Sequence, residues 1–541
     1  MKRLSFLIPV FVLWLSRCAV VPPPPEARPA GPVIRVGLVK GQNAIVFVPT
    51  EAYELRAGDG RFIVKGDSGE RWVAAVRTSR PGRIVYRLVA GSMSTRDRAR
   101  QKARDVETAG HETEIRIPGG ETLPQAGWPG AGRLYRIYLK KTFLSEAEAK
   151  AFRDSVRHRF ETFVVREVQE PPSGCISLQN ETRNWVFETE DAFFVSGSPV
   201  RMPAVPVGSG YHWERNEDRV YPQTFSVVLD TDGKLAAVNR VPVETYLEGV
   251  VPSEMSPGFP EEALKAQAVA ARSKVLANFG LLHPADPYDV CADVHCQVYS
   301  GMGRRAPAAS RAVRRTAGLV LWGDGRILDA VYGASCGGHT DDVEKVWLTG
   351  PKAHLQGVRD GSKSLASYEP LDVESNVRRW ILADPPANCN TTRGHLPRFL
   401  EYTAKYFRWE NRISQDVLRT QVEKTLGRSI GTVRELIPVR RGESGRIVKL
   451  KIAGSEGEAV IEGELSVRRA LSPTALWSSC FIVETEKDSS GAPAAFTFRG
   501  AGWGHGIGMC QTGAAVLALK GKGFKRILKQ YYRGAEIRKV Y

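Results

Sequence analysis

Glu254 ends the string Val241-Pro-Val-Glu-Thr-Tyr-Leu-Glu-Gly-Val-Val-Pro-Ser-Glu254, with Pro252 and Ser253 directly before it. A carboxyl in a Pro- and Ser-bounded loop ahead of a helix can face a groove. If protonated near neutral pH, it can serve as a general acid and then, once ionised, as a base. Nearby Met255 and Phe259 supply apolar surroundings that raise a carboxyl pKa, while the N-terminus of the following helix would lower it. Glu244 and Glu248, spaced by four, read as an ordinary solvated helix face. A second group is His283, Cys291, His295 and Cys296. Thiolate plus imidazole suits zinc, but the Cys-x4-Cys spacing fits a local disulfide or packed free thiols as well. A third feature is the strict alternation of Gly500, Gly502, Gly504, Gly506 and Gly508 with Ala501, Trp503, His505, Ile507 and Met509. As a strand it would have one face without side chains, open to a ligand or to another backbone, and a second face presenting Trp503 and His505. Trp503 reads equally as a core residue. His339, beside Cys336-Gly337-Gly338, is either a cleft residue or a turn histidine.

The elements around these residues follow from pattern. Residues 33–39 and 44–48 alternate as strands of a small β-rich module. Residues 92–133 are polar, Gly- and Arg-rich, and read as loop. A strand at 134–139, a helix at 145–160 with Ser145 as N-cap, and a strand at 163–165 form a strand–helix–strand unit. It reads first as a small α/β insertion and resembles half of a SPOR module. Strands at 224–229 and 235–239 flank Asp230-Thr231-Asp232-Gly233, a hairpin turn. The long helix at 260–279 has Pro260 and two glutamates at its start and Gly280 at its stop. Its apolar stripe is Leu264, Ala268, Ala271, Val275 and Phe279, and Gln267 and Arg272 fall outside it. Helices follow at 375–382, 399–406 and 414–425, strands within 439–461, and helices at 513–519 and 524–533. The fold class expected is α+β, with a β-rich N-terminal module at 33–190 and one continuous domain at 191–541.

Composition narrows the partners. The 541 residues are 42% hydrophobic and 25% charged, enough for a sizeable core in more than one domain. Net charge is +17, which favours an acidic polymer or an anionic surface. Lys2 and Arg3 precede a nearly unbroken apolar run to Leu15, too short to span a membrane and suited to a signal peptide. Cys18 then resembles the lipidated cysteine of a lipoprotein signal, although Arg17 stands where such signals want a small residue. The alternative is a soluble secreted chain cut near Ala19. Residues 1–18 thus read as a signal, and the Pro-rich residues 19–32 as a tether. Export argues against a nucleic-acid partner. Without Cys18, seven cysteines remain, an odd number that implies a free thiol or a metal ligand in an oxidising compartment.

Several separate segments, in order, carry a resemblance to one family. The string Val-Pro-Ser-Glu254-Met with Glu-Ala-Leu-Lys-Ala-Gln267-Ala-Val-Ala-Ala-Arg272 closely resembles the motif of the SpoIID/LytB (stage II sporulation protein D, amidase enhancer) family. So do Asp289-Val-Cys291 with His295-Cys-Gln-Val-Tyr299, Ala334-Ser335-Cys-Gly-Gly-His339-Thr, residues 440–463, and Gly500 to Gly513 including Gln511. The resemblance covers residues 220–541. It implies a peptidoglycan lytic transglycosylase with Glu254 as catalytic acid and base. Gln267, Arg272, Tyr299, Ser335, His339, Trp503, His505 and Gln511 become candidate substrate-binding residues, with Trp503 suited to sugar stacking. It also implies zinc in some members at the position of Cys291 and Cys296; His283, upstream, is a candidate ligand by its residue type and place in the chain.

Such an enzyme breaks the MurNAc–GlcNAc bond without adding water. The sugar's own C6 hydroxyl attacks the anomeric carbon, so one carboxyl can suffice where ordinary glycosidases use two. The expected substrate is peptidoglycan glycan strands, with or without their stem peptides, and no cofactor is required for catalysis. The expected location is the cell envelope, membrane-anchored if Cys18 is lipidated. The rival is a non-catalytic glycan-binding enhancer of an N-acetylmuramoyl-L-alanine amidase, in which Glu254 binds ligand.

Overall fold

The computed structural model describes residues 31–117 and 134–541, apart from residues 157, 212, 348, 349, 394 and 395. The signal region and Cys18 lie outside the described residues, as does the tether up to residue 30. The chain is mixed α and β, as its alternating patterns predict. Two sheets face each other. One has six strands in the order Trp185–Glu190, Ser173–Asn180, Trp72–Arg80, Ala44–Pro49, Val200–Val207 and Arg215–Tyr221. The other has seven: Val290–Cys291, Val33–Gln42, Leu235–Pro242, Thr224–Leu229, Ala192–Ser196, Tyr53–Ala57 and Phe62–Gly66. Phe47 of the first sheet packs 5.5 Å, ring to ring, from both Phe193 and Phe225 of the second. The 224–229 and 235–242 strands form the expected hairpin, closed by Asp230 and Lys234.

This pairing changes the reading of residues 33–190. Val33–Gln42 runs antiparallel to Leu235–Pro242 along most of its length, and Ile34, Val36, Phe47 and Trp72 share one core with Tyr246, Leu264 and Val269. Strands on both sides of residue 190 therefore build one sheet and one core, so the 33–190 segment is not a separately packed module. The unit with its own core is smaller. Arg83–Met93, Arg96–Thr108, Thr113–Arg116, Tyr135–Phe143, Glu146–Val156 and Phe163–Glu170 make a β-α-β-β-α-β unit around Leu88, Ala99, Ile137 and Ala149, a split-βαβ connectivity. Its second helix is capped as expected, with the Ser145 hydroxyl accepting from Glu148 N–H at 3.2 Å. The first helix lies where a loop is expected, and Thr95 caps it.

The helix Glu261–Ala277 lies at the centre of the remainder. It packs on the helices Val243–Glu254, Pro307–Arg315, Gln511–Leu519 and Phe524–Tyr531. The alanines let these neighbours come close around most of the helix, leaving Glu261, Glu262, Lys265 and Lys274 partly exposed: Gln267 and Arg272 are as buried as Leu264 and Val269. Pro260 precedes this helix in an extended conformation instead of occupying its first turn. A further core, from Trp409 to Phe498, gathers the strands Val433–Arg441, Ile447–Gly454 and Glu458–Glu462 with those at 408–414, 481–487 and 493–501.

These packings make a test of the boundaries. A chain beginning at residue 191 loses the strand beside Leu235–Pro242 and should be insoluble or unfolded. Replacing residues 82–171 with a two-residue turn should leave a cooperatively melting protein, because Arg80 and Ser173 already face each other as ladder partners. Circular dichroism melts of the two chains check both halves.

Candidate active site

Glu254 is the last residue of the helix Val243–Glu254, not part of a loop. Pro252 does not break this helix: it sits in the last turn, and Ser253 bonds back to the Gly249 carbonyl at 2.6 Å. The carboxyl therefore lies at the negative end of a helix dipole, which disfavours its charge. One Oε accepts the backbone N–H of Val298 at 2.6 Å. Burial is the largest influence and raises the carboxyl pKa to about 7, against the lowering effects of the Val298 N–H, the Lys274 charge and the Tyr332 hydroxyl. Met255 and Phe259, which follow it in the sequence, are both buried.

Three neighbours gave no sequence signal of their own. The Tyr332 hydroxyl is buried and has no hydrogen-bond partner of ordinary geometry, and its charge interacts unfavourably with that of Glu254. Lys274, on the central helix, acts on Glu254 and lies 3.8 Å from Asp329. Asp329 is in the opposite state to Glu254. Burial opposes its ionisation, yet Lys274, Lys352 and the Asn278 amide hold its pKa at about 2. Two carboxyls under the influence of one lysine are thus pushed apart, and only Glu254 can carry a proton at neutral pH.

His505 reaches this group through Tyr332. Its Nδ1 accepts the Ile507 N–H at 3.0 Å, so Nε2 is the donor to the Tyr332 carbonyl at 3.0 Å. Burial, then the Arg446 and Lys274 charges, push its pKa down to about 3. It is a neutral positioning group with both nitrogens occupied. The glycine-rich segment holding it is no strand. The strand Pro493–Ala501 stops, and Gly502, Gly504, Gly506 and Gly508 all have positive φ. At Gly508 a Cβ would stand 2.0 Å from the Val331 carbonyl oxygen, and at Gly506 one would strike the Arg446 guanidinium. The glycines thus serve close approach of neighbouring groups, the second of the two uses expected.

Trp503 is partly exposed and belongs to a row of aromatic rings. Its ring lies 4.4 Å from Tyr406 and 5.8 Å from Trp477. Tyr406 continues to Tyr402 at 5.9 Å, and Tyr402 to Phe259 at 6.4 Å. One end of the row is five residues after Glu254, and the other is two residues before His505.

The glutamate, its surrounding groups and this aromatic row occur in a chain with recognisable relatives. Residues 231–322 match the family described as stage II sporulation protein (SpoIID), and residues 341–508 match a domain of unknown function, DUF8618. An uncharacterized protein of Brachyspira hyodysenteriae (strain ATCC 49526 / WA1) is 31% identical over 305 residues, 56% of this chain and 68% of that protein. Stage II sporulation protein D of Bacillus amyloliquefaciens is 26% identical over 56% of this chain and 75% of its own length. The amidase enhancer of Bacillus subtilis (strain 168) is 28% identical over 54% of this chain, and the match spans 40% of that longer protein.

The chain belongs to the SpoIID/LytB family.

Several residues of the SpoIID motifs hold the fold rather than line a groove. Arg272 is fully buried and bonds both oxygens of Glu244, at 2.8 and 2.7 Å; Tyr541 and the Gly318 N–H also donate to that carboxylate. Glu244 is therefore no solvated surface acid. Nor is Glu248, buried near Arg305 and Arg314. Gln267 and Gln511 are both buried and bond each other at 3.3 Å between two helices. Tyr299 is fully buried and donates to Asn239 at 2.8 Å. Ser335 is buried, its backbone paired with that of Trp503. His339 lies with Glu369 and Arg359 in an ion-pair cluster.

The cysteine–histidine group does assemble. His283 Nε2 is 3.3 Å from Cys296 Sγ, and His295 Nδ1 is 3.5 Å from Cys296 Sγ and 3.9 Å from Cys291 Sγ. One ligand atom from each of the four lies within 4.8 Å of all the others. Asp286 holds His283 Nδ1 at 2.8 Å, the carboxylate–histidine support common at zinc sites. The residues fit a Cys2His2 site, with His295 as the fourth member.

Two measurements test these assignments. Glu254 has a folded pKa near 7 against an ordinary 4.5, so its ionisation costs stability that increases as pH rises from 4.5 to 7 and is constant above. Glu254→Gln should therefore gain Tm relative to the parent across that window, and equal Tm differences at pH 4.5 and pH 8 would contradict the raised pKa. Arg272→Met should strand a largely buried carboxylate and cost about 3–5 kcal/mol in denaturant melts, whereas a substrate-binding arginine would leave stability unchanged.

Proposed function

We propose that this protein is an envelope enzyme that cleaves peptidoglycan glycan strands as a lytic transglycosylase, with Glu254 as its single acid and base. The observation that carries the reading is the Glu254 carboxyl: half-buried, at a helix C-terminus, with a pKa of about 7 and a single backbone N–H donor. In the cleavage step the protonated carboxyl gives its proton to the oxygen linking MurNAc to GlcNAc. The C–O bond to the MurNAc anomeric carbon breaks, and GlcNAc leaves as an alcohol. The ionised carboxylate then takes the proton of the MurNAc C6 hydroxyl as that oxygen closes on the anomeric carbon. The product is a 1,6-anhydro ring, and Glu254 returns to its starting state. Tyr332 stands beside the carboxyl as a further donor. The neighbouring Lys274 opposes an excessive rise in pKa.

The aromatic row from Trp503 to Phe259 supplies flat apolar surface on which sugar rings can stack. The excess of basic residues suits strands that carry a lactyl carboxylate on each disaccharide, above all strands stripped of their stem peptides. Zinc would be held by His283, Cys291, His295 and Cys296, where it would fix the loop whose Val298 N–H bonds Glu254; catalysis asks nothing further of it. Export through the N-terminal signal, with lipidation at Cys18, would put the chain outside the cytoplasmic membrane. A second reading has one observation in its favour: a relative bears the name amidase enhancer. In it, the same aromatic row binds glycan and a cell-wall amidase cleaves.

Glu254→Gln should lower the cleavage of purified stripped strands by ~100- to 10,000-fold while strands still co-sediment with the protein. Cleavage by the Gln variant at the parent rate contradicts the enzyme. If the parent chain cleaves nothing but stimulates an added amidase, the enhancer reading holds.

A further inference from the structure

Five of the seven described cysteines fall into two groups, and the second group has no part in the chemistry above. Cys336, Asp360, Cys389 and Cys510 lie far apart in sequence yet bring one ligand atom each to within 4.8 Å of all the others. All four residues are buried, none more than 4% exposed. Cys336 Sγ is 3.6 Å from Cys389 Sγ and 3.4 Å from Asp360 Oδ2. A tetrahedral zinc ion with ordinary bond lengths sets its thiolates about 3.7 Å apart and a thiolate about 3.5 Å from a carboxylate oxygen. The separations match a single ion and leave no room for a polynuclear cluster.

The surroundings are those of bound thiolates. The Cys336 and Gly513 N–H groups each point at Cys510 Sγ at 3.3 Å, and the Gly338 N–H points at Cys336 Sγ at 3.4 Å. Asp360 is held by Tyr531 at 2.7 Å and Asn388 at 3.2 Å on one oxygen, and by the Cys389 N–H at 3.1 Å on the other. Oriented donors around the ligands are what a metal site needs in addition to the ligands themselves. Gly513 leaves space for this arrangement, since a Cβ there would meet both Tyr531 and Asp360 within 2.7 Å. A disulfide would use two of the three sulfurs and leave a thiol and a buried carboxyl beside it with no cation among them.

We propose that Cys336, Asp360, Cys389 and Cys510 form a second, structural metal site that takes one zinc ion. The ligands come from both sides of a boundary. Cys336 and Cys510 flank the segment that matches DUF8618, residues 341–508, while Asp360 and Cys389 belong to it. The ion would fasten that segment, which carries Tyr402, Tyr406, Trp477, Trp503 and His505, to the part of the chain that carries Glu254. Three thiols lose their protons on binding, so the site's affinity should fall in acid.

The test is metal content. The full chain carrying Cys291→Ser and Cys296→Ser, which disables the other group, should retain about one zinc per chain after dialysis against metal-free buffer. Adding Cys389→Ser should remove it. A metal-free double variant, or a zinc that survives the third substitution, overturns the proposal. If the substituted chains do not fold, the parent chain decides. Unfolding it with chelator and no reductant should release two zinc ions per chain and leave Cys336, Cys389 and Cys510 all open to alkylation. Release of fewer than two ions, or a disulfide among those three cysteines, overturns it.

Discussion

The structure depends on holding one carboxyl half out of water without giving it a full set of partners. A buried carboxylate is ordinarily neutralised by an arginine or by several N–H donors, and both kinds occur here. Glu244 has Arg272, Tyr541 and the Gly318 N–H. Asp341 has the Ser444 hydroxyl and three backbone N–H groups, set against a burial that still raises its pKa. Glu254 has one N–H and a lysine close enough to feel, and it lies at the wrong end of a helix for an anion. Such a group rests near the midpoint of its titration, the state that proton transfer in both directions requires.

Most of the surrounding framework serves that group. The alanine-rich helix Glu261–Ala277 is buried along most of its surface, so the helices carrying Glu254 and Gln511 can pack directly against it. Arg272 and Gln267 are the polar cost of that burial: Arg272 is paired with Glu244, and the Gln267 Oε1 accepts from Gln511 while its Nε2 finds no partner among the described residues. The glycine-rich segment after Ala501 brings His505 against the Tyr332 carbonyl. Its positive-φ glycines let the chain pass Val331 and Arg446 where a Cβ would collide with them.

The sequence disclosed the important residue more reliably than its setting. Glu254 was legible through its motif, but its helix was not, because Pro252 reads as a breaker while the last turn of a helix tolerates it. The Gly–X alternation after Gly500 has the period of a strand, and nothing in composition distinguishes extended glycines from left-handed ones. The family resemblance makes Gln267 and Arg272 candidate ligand-binding groups; the alanines at 263, 266, 268, 270 and 271 are the signal that the helix is buried on more than one face and holds both residues inside the fold. The helix Arg96–Thr108 was hidden by its charge, although Ala99, Ala103 and Val106 already had helical spacing. Tyr332, Asp329 and the pairing of Val33–Gln42 with Leu235–Pro242 depend on contacts distant in sequence, and no local pattern encodes them. The four residues of the first cysteine–histidine group were visible as a set, whereas Cys336, Asp360, Cys389 and Cys510 are too dispersed to be read as one.

The central claim is that the substrate's own hydroxyl, and not water, completes the reaction at a single carboxyl. Digestion of purified glycan strands in water enriched in oxygen-18, followed by mass spectrometry of the released fragments, tests it directly. An intramolecular closure gives 1,6-anhydro-muramic ends with no heavy oxygen. Reducing ends carrying oxygen-18 would show that water attacks the anomeric carbon, and a one-carboxyl transglycosylase centred on Glu254 would be wrong.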